Sequence, residues 1–259
     1  MAMAIREVYP NPTVKRVIFQ IRFPNLFSME RLIGDYQVKI MAEFPKSALL
    51  VRRSVLIGDV GSRAQIENIA ADADKLAVSK IWNFKSEKGT ELNVQNDSLD
   101  ISSTFHKTYA NPKEDNRFRD TIEYAVGKFL EVTPIPKLTR IGLRYVDECP
   151  VPAKETRAFK EYYNTTLPLE RFPVENALNM TFEARVEKGD RRLRFIESFE
   201  DVAGELRLML DFDGYAEGVP AGEYLTVTDE LHELISKEYE ASIREPVLEY
   251  MRKKEGKKV

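Results

Sequence analysis

Leu178-Asn179-Met180-Thr181-Phe182-Glu183-Ala184-Arg185-Val186 alternates apolar and polar side chains without a miss. Successive side chains of a strand point to opposite faces, so this run is read as a strand with one face turned toward a core. Leu206, Leu208, Leu210 and Phe212 repeat the pattern, and Arg192 to Phe199 supplies a third strand between the two. Glu187-Lys188-Gly189 marks the hairpin that joins the first pair, so the three runs make an antiparallel meander.

Outward from the meander, Leu138 to Val146 reads as a strand, Ala158 to Tyr163 as a helix, and a long helix begins near Asp229. The first half of the chain has the same order. Val17 to Phe23 is a β-branched and aromatic run stopped by Pro24. Asn25 is placed to cap a helix whose apolar stripe is Met29, Leu32, Ile33, Tyr36, Ile40 and Phe44, with Pro45 ending it. Ala48 to Ile57 is a further strand, and Ile66 to Val78 reads equally as loop or short helix. Three short strands follow at Trp82 to Ser86, Glu91 to Gln95 and Leu99 to Phe105. A helix from about Asp115 carries Phe118, Ile122, Ala125, Val126 and Phe129 on one stripe, closed by Pro134 and Pro136.

Two local matches join the halves: Ile21-Arg22-Phe23 with Leu143-Arg144-Tyr145, and Glu87-Lys88-Gly89 with Glu187-Lys188-Gly189. The expected fold class is therefore α+β, a tandem β-α-β-β-β-α repeat with antiparallel sheets packed against helices and pseudo-twofold symmetry. The repeats are residues 1–136 and 137–259. A meander with one covering helix leaves edges and apolar surface, so the two units are expected to complete one another's sheet or core as one composite domain. Such symmetry also permits a homodimer.

Across 259 residues, 39 Lys and Arg stand against 42 Asp and Glu, a formal charge of -3, without the basic excess of sequence-independent nucleic-acid binders. The single cysteine, Cys149, allows no intrachain disulfide and no thiolate cluster, which fits a reducing compartment. Neither a signal-peptide run at the N-terminus nor a stretch of about 18 uncharged apolar residues is present, so a cytoplasmic protein with no membrane span is expected.

Tyr9-Pro10-Asn11-Pro12 followed by Val17 to Phe23, the strand Trp82 to Phe84, Tyr109, the block Arg140-Ile141-Gly142-Leu143-Arg144-Tyr145, and Leu231-His232 together carry a resemblance. The chain resembles a sporadically distributed, functionally uncharacterised family of prokaryotic proteins of about 250 residues. The resemblance implies no activity; it implies an accessory gene, near mobile or defence functions.

Nucleophilic catalysis of the Ser-His-acid type needs a base, and the chain holds two histidines, His106 and His232. His106 ends a strand as a solvated or capping residue. His232 is read as a surface residue of the last helix, with Asp229 or Ser236 as its neighbour, and is kept as a binding candidate. Cys149 at a strand exit is small and inert. Zinc lacks ligands, and Asp211 and Asp213, two acids on one strand face before Gly214, are read as a solvated strand end or as a carboxylate site for a divalent ion. Gly58-Asp59-Val60-Gly61-Ser62 lacks the Lys-Ser/Thr of a phosphate loop. No cofactor and no metal are expected. The basic tail from Arg252 to Lys258 is a solvated terminus.

Arg185, Arg192, Arg194 and Arg207 fall on the outer face of the second meander together with Glu183, Glu205 and Asp211, which favours cross-strand ion pairing over an anion or RNA platform. Arg140, Gly142 and Arg144 share one strand face, where the glycine admits either a ligand or a packed helix. The function expected is that of a noncatalytic binding or adaptor protein of a bacterial accessory system, engaging a protein partner through its sheet or the groove between its repeats. The alternatives are binding of a small anion or nucleic acid by the arginines, and a metal-dependent hydrolase using Asp211 and Asp213.

Overall fold

The computed structural model describes residues 9–53, 78–106, 108–202 and 204–253. Its frame is an antiparallel sheet with nine strands among these residues: β1 (Val14–Arg22), β2 (Lys46–Arg53), β3 (Val78–Lys85), β4 (Glu91–Val94), β5 (Ser98–Ser103), β6 (Lys137–Cys149), β7 (Asn179–Lys188), β8 (Arg191–Val202) and β9 (Glu205–Pro220). The strand order is β2-β3-β4-β5-β1-β6-β9-β8-β7. Five α-helices accompany it among the described residues: α1 (Met29–Ile40), α2 (Phe118–Val132), α3 (Thr156–Tyr162), α4 (Tyr224–Ser242) and α5 (Glu245–Arg252). None is long and apolar enough to cross a membrane.

The two halves of the chain meet at β1 and β6, which pair antiparallel with Phe19 opposite Leu143 and Ile21 opposite Ile141. These four side chains are fully buried and face the same way as Leu99 and Ile101 of β5 and Leu208, Leu210 and Phe212 of β9. The helices cover this face. Tyr36 of α1 and Phe129 of α2 meet edge to face 5.4 Å apart, and Phe129 reaches Phe23 just past β1 at 5.2 Å. On the other side of the joint, α4 sets Tyr239 against Phe212. One continuous cluster of buried side chains runs under all of these elements.

Several expectations are corrected. The two halves share one sheet, the sheet-completing alternative, but the first half carries four strands after α1, because β2 adds outside β3, so the β-α-β-β-β-α formula undercounts it. Asn25 caps nothing: α1 begins at Met29 after Ser28, which makes no side-chain cap. The alternating run from Leu178 to Val186 is a strand, yet it lies at the sheet edge, where Leu178 and Val186 stay exposed. Position in the sheet, which a two-residue period cannot express, decides burial. The segments Ile66 to Ala77 and Gly58 to Ser62 fall outside the described residues.

The acid-rich turn expected at Asp213-Gly214 is instead the middle of β9, which runs on to Pro220. Gly214 sits there because α4 comes close: a Cβ built on it would lie 3.3 Å from Ile235 Cδ1 and 3.6 Å from Leu231 Cδ2. Gly34, on the exposed side of α1, has no such neighbour. Gly214→Val is expected to lower stability by about 1–3 kcal/mol through overpacking, whereas Gly34→Ala raises it by about 0.5–1 kcal/mol through reduced chain entropy. Urea denaturation of the two variants checks both signs.

Candidate functional site

The open face of the sheet holds seven of the sequence-predicted residues, and its arginines are engaged by its own acids. Arg140 donates through Nη2 to both oxygens of Asp213 at 3.0 and 2.9 Å, and through Nη1 to Gln20 Oε1 at 3.3 Å, while its guanidinium lies over the ring of Tyr215. Arg144 grips Asp211 with Nε and Nη2 at 2.7 and 2.5 Å. Arg194 holds Glu183 in the same two-pronged way at 2.8 and 3.2 Å, and Arg185 shares that glutamate at 3.1 Å. Arg192 pairs with Glu217, and Arg207 with Glu205.

Gly142 has a specific reason to be glycine, and neither of the expected ones applies. A Cβ there would collide with Arg140 Nη1 and fall 2.9 Å from its Cζ. The absent side chain is the space in which the Arg140 guanidinium lies flat on its own strand. The acids of the suggested metal site, Asp211 and Asp213, are the partners of Arg144 and Arg140. Among the described residues no three His, Cys, Asp or Glu side chains group as a metal site would require.

The helix-covered face tells a different story. Where the halves meet, a cleft of about 910 Å³ opens, lined by residues of β1, β6, α4 and α5 and by residues 106, 108–114 and 118. Its wall on α4 is His232, Ser236 and Tyr239, at the four- and three-residue spacing that shares a helix face. His232 is thus corrected from a surface residue to a half-buried one. Its ring stacks on Tyr109 with centroids 4.1 Å apart and planes within 20°, and its Nδ1 lies 3.4 Å from the Tyr145 hydroxyl. Burial pushes His232 down to about 4, with nearby Asp229 opposing, so the ring is neutral near pH 7.

Asp229 latches this end of the cleft. It accepts from the Tyr109 hydroxyl at 2.6 Å and from Arg119 Nε and Nη2 at 2.8 and 2.9 Å, tying the first half to α4. His106 is also part of the frame, with Nδ1 2.8 Å from Ser103 Oγ, Nε2 3.2 Å from Thr121 Oγ1 and its ring against Phe118. Burial, and then Lys88, bring it down to about 4.

At the floor stands Asp147, 5% exposed, on the core face of β6. It accepts one side-chain hydrogen bond, from Thr13 Oγ1 to Oδ1 at 2.9 Å. With the Thr13 proton so committed, the Tyr239 hydroxyl donates to Thr13 across 2.6 Å. The second oxygen, Oδ2, has no hydrogen bond among the described residues. No side-chain oxygen among the described residues is both buried and unpaired, so Oδ2 opens on the cleft that Asp147 lines. Burial, followed by the field of Asp211, raises this carboxyl to about 7, and the Thr13 hydrogen bond counters only part of that.

Sequence reasoning passed over Asp147 because the strand was expected to end at Val146. The signal was present: Ile141, Leu143, Tyr145 and Asp147 continue one two-residue period, which puts an acid on an apolar face. In comparisons with known proteins, no family model and no curated protein matches the chain.

Two outcomes follow. Gly142→Ala is expected to cost about 1–2 kcal/mol by displacing Arg140 from Asp213, and to cost less in an Arg140→Ala background, as a double-mutant cycle reads. For Asp147, the folded protein holds a proton between about pH 4 and 7 that the unfolded chain has lost, so stability falls as pH rises through that window and is level above it. Asp147→Asn keeps an acceptor for Thr13 and removes this slope. The variant gains roughly 2–4 kcal/mol over wild type at about pH 8, and the gain vanishes toward about pH 4 in thermal or urea melts.

Proposed function

We propose that this chain is a noncatalytic binding protein that engages a protein partner through the groove between its two halves. The observation that carries the reading is the cleft over the β1–β6 joint, which both halves line and which exposes an unpaired acid oxygen beneath stacked aromatic rings. Its volume of about 910 Å³ is at the upper end of the range that takes small ligands and is ample for an inserted side chain. The arginine face supports the anion and nucleic-acid alternative less well, since Arg140, Arg144, Arg185, Arg192, Arg194 and Arg207 are each engaged by a carboxylate.

We also read the halves as copies of one unit. From the joint outward the order is β5-β4-β3 on one side and β9-β8-β7 on the other, and in each half one helix follows the first strand and another follows the last. A site on the pseudo-twofold would then belong to the assembled pair and to neither copy. A cytoplasmic accessory role suits the resemblance to the uncharacterised prokaryotic family.

Ala110 is exposed at the cleft mouth, so Ala110→Trp obstructs entry without touching the core. Capture from a prokaryotic lysate is expected to enrich one protein on the wild-type chain, to lose it on Ala110→Trp, and to keep it on an Arg185→Ala, Arg194→Ala variant. A partner retained by the first variant and lost by the second would move the working surface to the arginine face.

A further inference from the structure

We infer that the cleft receives a cationic nitrogen group, an alkylammonium, whose charge is met by Asp147 Oδ2 at the floor and by the tyrosine and histidine rings on the walls. The inference rests on the reading of the cleft as the working surface and names the chemistry it selects.

Three observations converge. Asp147 is a nearly fully buried carboxylate whose side chain meets no guanidinium or ammonium among the described residues: its one side-chain hydrogen bond there comes from Thr13. A buried acid is ordinarily paired, as the open face of this same sheet demonstrates with Asp211 and Asp213. One oxygen of Asp147 is left facing the cleft, where a charged donor would complete it. The rings of Tyr145, His232 and Tyr109 line the approach, and the negative faces of aromatic rings attract cations.

The remaining charged groups agree. Those lining the cleft besides Asp147 are Glu114, Glu233 and Lys113, all exposed, and Glu233 is shared with Lys237 at 3.9 Å. No cationic side chain among the described residues reaches the floor. An anionic ligand would therefore meet Asp147 with only the exposed Lys113 to offset the repulsion, and a neutral donor could bond to the carboxylate but would leave its charge uncompensated. An ammonium satisfies both conditions, whether it belongs to a free amine or to a lysine side chain of a partner.

The test is calorimetric titration of the full chain at about pH 8, above the range in which Asp147 holds its proton, with four probes. These are 1,5-diaminopentane as the free amine, N-acetyl-lysine methylamide as the side chain, and 1-pentanol and pentanoate as neutral and anionic controls. One or both of the ammonium probes should bind. Binding should weaken roughly ten- to hundredfold in Asp147→Asn and should be lost in Ala110→Trp, where Asp147 is intact and only entry is blocked. Preference for the diamine assigns a free amine, and preference for the lysine derivative assigns a protein side chain. The inference is overturned if neither ammonium binds at millimolar concentration, if pentanol or pentanoate binds as well, or if Asp147→Asn leaves ammonium affinity unchanged. Ammonium binding without any captured protein partner would keep this inference and remove the adaptor reading. Partner capture that depends on Ala110 without ammonium binding would do the reverse.

Discussion

Everything in this fold hangs on the pairing of β1 with β6. Each half of the chain builds a meander that on its own would end in an unpaired strand, with backbone donors and acceptors open along its length. Joining β1 to β6 removes two such edges at once and produces one sheet long enough to present a single continuous apolar face. The register is set by burial: with Phe19 opposite Leu143 and Ile21 opposite Ile141, a slip of one residue would turn either Gln20 of β1 or Arg144 of β6 into the core. The helices then have one face to cover, and the other is left to polar side chains.

Two neighbouring glycines show how differently the two faces are used. Gly142 and Gly214 lie on adjacent strands, one pointing out and one in. On the outer face the missing Cβ makes room for a guanidinium, which in turn neutralises Asp213 beside Asp211. The ladder continues toward the opposite edge, with Asn83 donating to Asn93 at 2.7 Å and Asn93 to Asp100 at 2.9 Å. On the inner face the missing Cβ brings α4 down onto β9, which sets the height of Ser236 and Tyr239 above the sheet. A stacked ring pair and the Asp229 latch then fix the opposite wall.

The strands were legible in the sequence wherever a two-residue period met apolar residues, and the helices wherever a stripe met a proline. That sufficed for most of the element order and for the outer arginines as ion-pair partners. It failed where the deciding fact is a distance between elements. Gly214 looks like a turn residue until α4 is placed above it, and His232 looks exposed until Tyr109, from the other half of the chain, is laid on its ring. Asp147 was hidden by the opposite habit, that of ending a strand at its first acid. An acid in phase with Ile141, Leu143 and Tyr145 is better read as a strand that continues with a charge turned inward.

Asp147 is also the residue that fold economy explains least. Thr13 and Tyr239 form a chain of hydroxyls that needs only an acceptor at its end, and an asparagine carbonyl would serve without a buried charge. The carboxylate brings a desolvation cost that its single hydrogen bond does not offset, which is why its affinity for a proton rises. On the open face Arg144 stands against Asp211 and Arg140 against Asp213, and on the core face Thr165 and Thr166 satisfy the buried Glu197. At the floor of the cleft, among the described residues, Asp147 has neither an arginine nor a second donor. That desolvation cost is what the ammonium proposed for the cleft would offset. The same joint that holds the sheet together thereby places an uncompensated charge where both halves can present it.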